Sequence, residues 1–307
     1  MNDTGLAAPW CPAPLAHGGP DAGSDAGSGS PAAVPTAIPH LPVPLPKIRE
    51  DPPAVPCPDV LAVYAHPDDE SLSAGGILAR HAAAGARTGV VTATWAPDSH
   101  RAAELADALR LLGAGEPRML GYADHRVPES APGRPRWCDA PLDEAVGRVV
   151  AHVRAFRPGI VVTHDAHGSS GHPDHVHTHR VTLLAVHAAG LEGFLPEAGP
   201  PWRPSALYLS SHPRSASGEL AELLGGAGKR LHTVPDDTLD ASVDVRPWVE
   251  QKWAAIRAHR SEAARAGSLP ALLSAVPEAT RERILGTEWF LRVDLTARSG
   301  DPRALTD

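Results

Sequence analysis

Cysteine is scarce in this chain: three in 307 residues, Cys11, Cys57 and Cys138, far apart and without a Cys-x-x-Cys spacing. That scarcity excludes a disulfide framework and a thiolate zinc site, and it suits a reducing, cytoplasmic setting. No run approaches the length and apolarity of a membrane span, and the N-terminus lacks the basic and apolar regions of a secretory signal. No dense basic run occurs either. A formal net charge of −8 and a pI near 6.1 argue against a dedicated nucleic-acid surface. There is no internal repeat, and no Gly-x-Gly-x-x-Gly follows the first apolar strand, which disfavours a silent nucleotide- or sugar-binding module. Hydrophobic residues still make up 42% of the chain, enough for one large α/β domain or two small ones.

Residues 1–56 are dominated by Pro, Ala, Gly, Ser and Asp, a composition that buries too little apolar surface to offset its ordering entropy. They are expected to form a disordered or extended tail, followed by a single domain over 57–307. From Asp59 the pattern alternates strand and helix. Strands are expected at 60–65, 87–95, near 119–120, at 158–164, 206–210 and 242–245. Helices are expected at 71–84, 101–112, 142–156, 173–188 and 247–266, with a last helix or strand near 281–293. Strands separated by helices of this length imply an α/β, Rossmann-like, mainly parallel doubly wound sheet with helices on both faces.

Two stretches carry chemistry. The apolar run from Val60 ends in His66-Pro67-Asp68-Asp69-Glu70. Pro67 cannot donate to a ladder, so the strand stops there and the acids crowd its carboxyl end, where open α/β sheets place ligands. Packed like charges repel unless a cation or hydrogen-bond donors neutralise them, and an imidazole near a carboxylate suits Zn²⁺ or another divalent first-row metal such as Fe²⁺. A solvated acidic turn capping the next helix is the plainer alternative. Histidine weighs against it: 17 in all, seven of them between His164 and His187. After the strand ending at His164 comes Asp165-Ala-His167-Gly-Ser-Ser-Gly-His172-Pro173-Asp174-His175. Pro173 fits the first helical position, so residues 172, 175 and 179 share one face. A doubly wound sheet can then bring His66, Asp69 and His175 together, three ligands with an open fourth position, the catalytic form of a zinc site.

The pair of motifs, Ala65-His-Pro-Asp-Asp-Glu70 and Gly171-His-Pro-Asp-His175, resembles the PIG-L/LmbE-like zinc-dependent N-deacetylases, particularly the mycothiol-pathway deacetylases and amidases. The resemblance runs from about 59 to 190, with a weaker echo at Lys252-x-x-Ala-x-x-x-His259-x-Ser261. It implies that His66, Asp69 and His175 bind the metal, that Asp68 is the general base, and that His172 assists the oxyanion and leaving amine with Asp174 orienting it. It also implies substrate contacts from Arg101, in an Arg-x-x-Glu-Leu pattern, and Asp124, with His259 edging the pocket; a helix ion pair and a turn are the plain readings of the first two. His164, Asp165 and His167 are expected to line the approach and orient ligands, with a hydrogen-bonded loop the favoured reading for His167, and His177 and His179 to sit behind the ligands or be exposed rather than bind. The implied activity is removal of an acyl group, most often acetyl, from an N-acetylglucosaminyl-type small molecule. A related amidase acting on a cysteinyl-glucosamine conjugate is the nearest competitor. Homo-oligomer formation is left open. The chain departs from the family at Ala96-Pro97-Asp98, where many relatives carry Gly-Glu, and at Glu262, where the echo usually has Gln.

Overall fold

In a computed structural model, residues 57–296 are described. Strand β1 (Val60–Tyr64) is buried at every residue, as a central strand with a cover on both faces must be. It pairs in parallel with β2 (Thr88–Thr94) on one side and β4 (Ile160–His164) on the other. Beyond them, also in parallel, lie β3 (Arg118–Tyr122) and β5 (Ala206–Ser211). The sheet continues with β7 (Thr287–Asp294), antiparallel to β5, and ends at β6 (Ala241–Asp244), antiparallel to β7. Its order is β3-β2-β1-β4-β5-β7-β6. The winding reverses between β1 and β4, and the crevice that such a switch opens lies at the strands' carboxyl ends.

Side chains alternate between two cores, as the pleat requires. Leu61 and Val63 face helices α3 (Leu142–Phe156) and α5 (Pro173–Ala189) through Val149, Val153, Val181 and Ala185. Val60, Ala62 and Tyr64 face α1 (Asp69–Ala83) and α2 (His100–Leu112) through Leu78, Leu105 and Leu109. Ser99 caps α2 by accepting from the Ala102 N–H, and Gly113, at a φ of 71°, closes it. Between β4 and α5 sits the short turn α4 (Gly168–Gly171), and after β5 comes α6 (Gly218–Gly226). No helix among the described residues is long and apolar enough to cross a membrane.

The expected elements are present, with three differences. The helix expected over 247–266 is two, α7 (Val249–Ala258) and α8 (Arg260–Ala264), broken at His259. Its chain is drawn out of helical register there because the Glu104 carboxylate takes both the N–H and the hydroxyl of Ser261, at 2.9 and 2.7 Å. The last element is a helix and a strand in succession, α10 (Glu278–Leu285) and then β7. Helices α6 and α9 (Leu269–Ala275) had no sequence expectation. The reading of residues 1–56 as an extended tail lies outside the described residues.

Candidate active site

The loop after β1 is held in a conformation that an L-residue rarely adopts: Asp68 has φ 130° and ψ −28°. Its N–H donates to Glu70 Oε2 at 2.9 Å, and Glu70 is fully buried. The other Glu70 oxygen takes the Ser71 hydroxyl at 2.6 Å and pairs with His259 Nε2 at 2.8 Å. Burial alone lowers the His259 pKa, but the Glu70 charge and hydrogen bond raise it above the usual histidine value. From the other side, Arg101 donates to the Pro67 carbonyl and to Glu262 Oε1, the latter at 2.6 Å, with Asp68 Oδ1 3.5 Å away. Burial pushes the Asp68 carboxyl up to about 7, against the pull of Arg101 and with a further push from Asp69 and Glu262. This is the range a general base needs near neutral pH.

The loop after β4 is held mainly by its own atoms. Asp165 Oδ1 accepts the N–H groups of His167 and Ser169, and Oδ2 accepts the Ser211 hydroxyl. Gly168 has φ 60°, and a Cβ there would stand 2.7 Å from the His175 Cβ, so only glycine fits. The Gly168 carbonyl accepts from His175 Nδ1 at 3.1 Å. His175 therefore turns its Nε2 lone pair toward the site, the arrangement by which a second partner can fix an imidazole for ligation.

The two loops meet at three atoms. His66 Nδ1 lies 3.1 Å from His175 Nε2 and 3.3 Å from Asp69 Oδ2, and His175 Nε2 lies 3.4 Å from Asp69 Oδ2. Three donors bound tetrahedrally at 2.0–2.1 Å would stand roughly 3.3–3.4 Å apart, so the triangle fits a first-row divalent ion. On the opposite edge of its ring, His66 Nε2 lies 3.2 Å from both Asp124 Oδ2 and Asp174 Oδ2. Burial lowers the His66 pKa, yet the carboxylates of Asp124, Asp174 and Asp69 lift it well above the usual value. The histidines around it, His175 and His164 first and then His66, hold Asp69 well below the ordinary carboxylate range against burial. Three overlapping groups gather within 4.8 Å: His66, His172 and His175; His66, Asp124, His172 and Asp174; and Asp69, His164 and His175. His164 Nε2 already takes the Ala65 N–H at 3.3 Å, and its ring stacks on His175 at 4.1 Å, so it backs the His175 ring.

His172 lies beside the triangle, its ring 4.8 Å from His66 and 4.9 Å from His175. As the cap of α5 it accepts the Asp174 N–H on Nδ1, which leaves Nε2–H as its donor. Burial and then the charge of His66 bring its pKa down to about 4, so the ring is neutral at pH 7. Three residues stand differently from expectation. Asp174, expected to orient His172, has its carboxylate 3.9 Å from that ring and 3.2 Å from His66, while its oxygens also take the His125 and Cys138 N–H groups. Asp124 likewise turns to His66 while accepting the Arg126 N–H at 2.6 Å. His259, expected at the pocket edge, is fully buried behind the β1 loop, because Glu70 needs a buried cationic partner. Arg101 lines the cavity as expected, although its guanidinium is already engaged. His179 props His164 through its carbonyl at 3.0 Å. Sequence reasoning missed Glu70 and Glu262, whose partners lie 189 and 161 positions away; the Gln-to-Glu departure at 262 was the available signal. The site opens into a cavity of about 680 Å³.

A doubly wound sheet with a buried His/Asp cluster at its switch point defines an α/β protein able to hold a catalytic metal ion. The model of the PIG-L family, described as GlcNAc-PI de-N-acetylase, matches residues 61–186, which contain both motifs. The chain is 33% identical over 270 residues to the 1D-myo-inositol 2-acetamido-2-deoxy-alpha-D-glucopyranoside deacetylase of Geodermatophilus obscurus, covering 75% of this chain and 90% of that relative. It is 39% identical over 247 residues to the enzyme of the same name from Mycobacterium leprae, covering 67% and 80%. The solved N,N'-diacetylchitobiose deacetylase from Pyrococcus horikoshii shares the fold, with a TM-score of 0.54 at 21% identity over 77% of this chain and 84% of that one. The chain belongs to the PIG-L deacetylase family.

Proposed function

We propose that this chain removes the acetyl group from the nitrogen of an N-acetylglucosaminyl-type amino sugar, using a divalent cation held by His66, Asp69 and His175. The observation that carries the reading is the triangle of donors with edges of 3.1, 3.3 and 3.4 Å, beside a buried carboxylate lifted to about 7. Two imidazoles and a carboxylate suit Zn²⁺, which we assign, and the same set accepts Fe²⁺. When bound, the cation supplies a Lewis acid that lowers the pKa of water toward neutrality.

The chain's own groups do the rest. Asp68 takes a proton from the attacking water and returns it to the departing nitrogen, since a leaving amide nitrogen must be protonated to depart. His172, neutral, donates from Nε2 to the oxygen on which charge develops. Asp174 and Asp124 fix the His66 ring, and His175 is fixed by Gly168. Glu70, His259 and Arg101 hold the strained Asp68 backbone in place.

The relatives' printed name supplies the first compound to test, 1D-myo-inositol 2-acetamido-2-deoxy-α-D-glucopyranoside. The metal-loaded protein should release acetate from it, read by mass spectrometry, with N-acetylglucosamine and a cysteinyl-glucosamine conjugate alongside. Turnover of the conjugate alone would make the protein an amidase, and release of neither a free amine nor a carboxylic acid from any of them by the loaded protein would end the proposal.

A further inference from the structure

The chain as a whole is acidic, with a formal net charge of −8, yet one side of its cavity gathers positive charge. Arg126, Lys229, Arg230 and Arg265 all line the cavity that opens from the switch point. They come from three separate segments: the connection after β3, the connection after α6, and the end of α8. Cations brought together by three segments are not the solvated face of one helix. All but Arg126 lie outside the family-matched segment at 61–186. Arg126 ties the patch to the catalytic end. Its own N–H donates to Asp124 Oδ1 at 2.6 Å and that of His125 to Asp174 Oδ2 at 2.8 Å, the two carboxylates that fix His66.

Positive charges held together repel, so such a patch needs an anion. The carboxylates nearest to it are already engaged. Glu262 accepts from Arg101 at 2.6 Å and from Nε and one amino group of Arg265, so a single negative charge serves two guanidinium groups. Asp124 and Asp174 turn to His66. The side chains of Arg126, Lys229 and Arg230 make no hydrogen bond or ion pair among the described residues. Lys229 is half-buried, and its ammonium pKa is lowered first by burial and then by Arg265 and Arg126, against the pull of Glu262 and Asp68. Arginine offers a planar fork to a carboxylate or phosphate, and lysine a point charge. At about 680 Å³ the cavity has room for a sugar ring and a charged substituent.

We infer that this side of the cavity is a subsite for an anionic group, a phosphate or a carboxylate, carried by the amino-sugar substrate. This rests on the reading that an amino-sugar amide is cleaved here, and it adds the substrate class. Substrates of matched size separate the two sources of the anion: the carboxymethyl and 2-(phosphooxy)ethyl α-glycosides of N-acetylglucosamine against the neutral 2-hydroxyethyl α-glycoside. N-Acetylglucosamine 6-phosphate against N-acetylglucosamine moves the charge to the far side of the ring. At least one charged compound should exceed its neutral counterpart in kcat/KM by roughly ten- to a hundredfold, the span of one hydrogen bond to a charged group. Arg126→Gln combined with Lys229→Gln should cut that ratio by at least about fivefold. The ratio should also shrink between about 0.05 and about 0.5 M salt, because these partners face solvent. Arg180→Gln, on an exposed position of α5 outside the cavity lining, should leave it intact.

A binding measurement without an amide separates this inference from the reaction. The carboxymethyl, 2-(phosphooxy)ethyl and 2-hydroxyethyl α-D-glucosides are titrated into the metal-loaded protein by calorimetry. A charged glucoside should bind at least tenfold more tightly than the neutral one, and the double variant should lose most of that difference. If it does so while no amide is cleaved, the subsite stands and the hydrolase reading falls. Equal kcat/KM of charged and neutral substrates or, where no amide is cleaved, equal binding of the glucosides overturns the subsite. A preference that the double variant leaves intact overturns it too, since the anion would then sit on the metal ion.

Discussion

The two loops that meet at the site are built in opposite ways. The β4 loop is held mostly locally: Asp165, Gly168 and Pro173 fix its path, with ties outside it from Ser211 to Asp165 and from the His232 N–H to the Ser169 carbonyl. The β1 loop is held from a distance, through Glu70 to His259 and through Arg101 to Glu262, because Asp68 sits at φ 130° and cannot hold itself there. Backbone strain at a reacting group persists only where its surroundings over-determine it. On the proposed assignment, the contrast teaches that a metal ligand can be set largely by local sequence, whereas a poised base needs the second half of the chain.

The strongest tests remove the meeting point itself. His66→Ala should lose both metal and turnover, by metal analysis and acetate release, and any retained stoichiometric metal would move the ligand set elsewhere. Asp68→Ala should keep the metal while kcat falls on the order of 10²–10⁴-fold; near-parental turnover would mean the base is wrong. His172→Ala should likewise keep the metal and lower kcat.

The next tests act on each loop's support. Gly168→Ala meets His175 at 2.7 Å in a backbone that disfavours a side chain. It should weaken metal affinity by roughly 10–100-fold, the usual effect of disturbing a ligand's support. His259→Asn should do the reverse, keeping metal and KM but lowering kcat, because it frees Glu70 and with it the Asp68 backbone. Equal effects of both variants on metal affinity would erase the contrast between the loops.

The pH profile sharpens the same point. Asp68 acts as a base only when ionised, so kcat/KM falls as pH drops through its pKa. Its carboxyl stands at about 7 in the protein alone, and a bound cation favours the charged form, so the acid limb should lie below that value. A limb above 7 would point to another base. Smallest is Ser99→Ala, which removes the side-chain cap of α2 two residues before Arg101. It should cost ~1 kcal/mol in thermal unfolding and leave metal affinity unchanged.

The legibility of the chain follows this division. The strand at 158–164 and the helices at 101–112, 142–156 and 173–188 could be read because apolar spacing, Gly113 and Pro173 are local signals, and α3 (Leu142–Phe156) occupies the expected range. His66, Asp69 and His175 stood out because each ends a strand or opens a helix. What escaped depends on partners remote in sequence: the break at His259, the turn of Asp174 and Asp124 toward His66, and the clamp of Glu262 on Arg101. No periodicity encodes a contact between positions 70 and 259. Helices α6 and α9 escaped because their apolar residues face a cavity as well as a core.

The central claim, one divalent cation shared between the loops, is tested most directly by equilibrium Zn²⁺ binding to the parent and to His175→Ala. One tightly held ion per chain in the parent, weakened at least a hundredfold in the variant, is the predicted result. Equal affinity in the two proteins would contradict it.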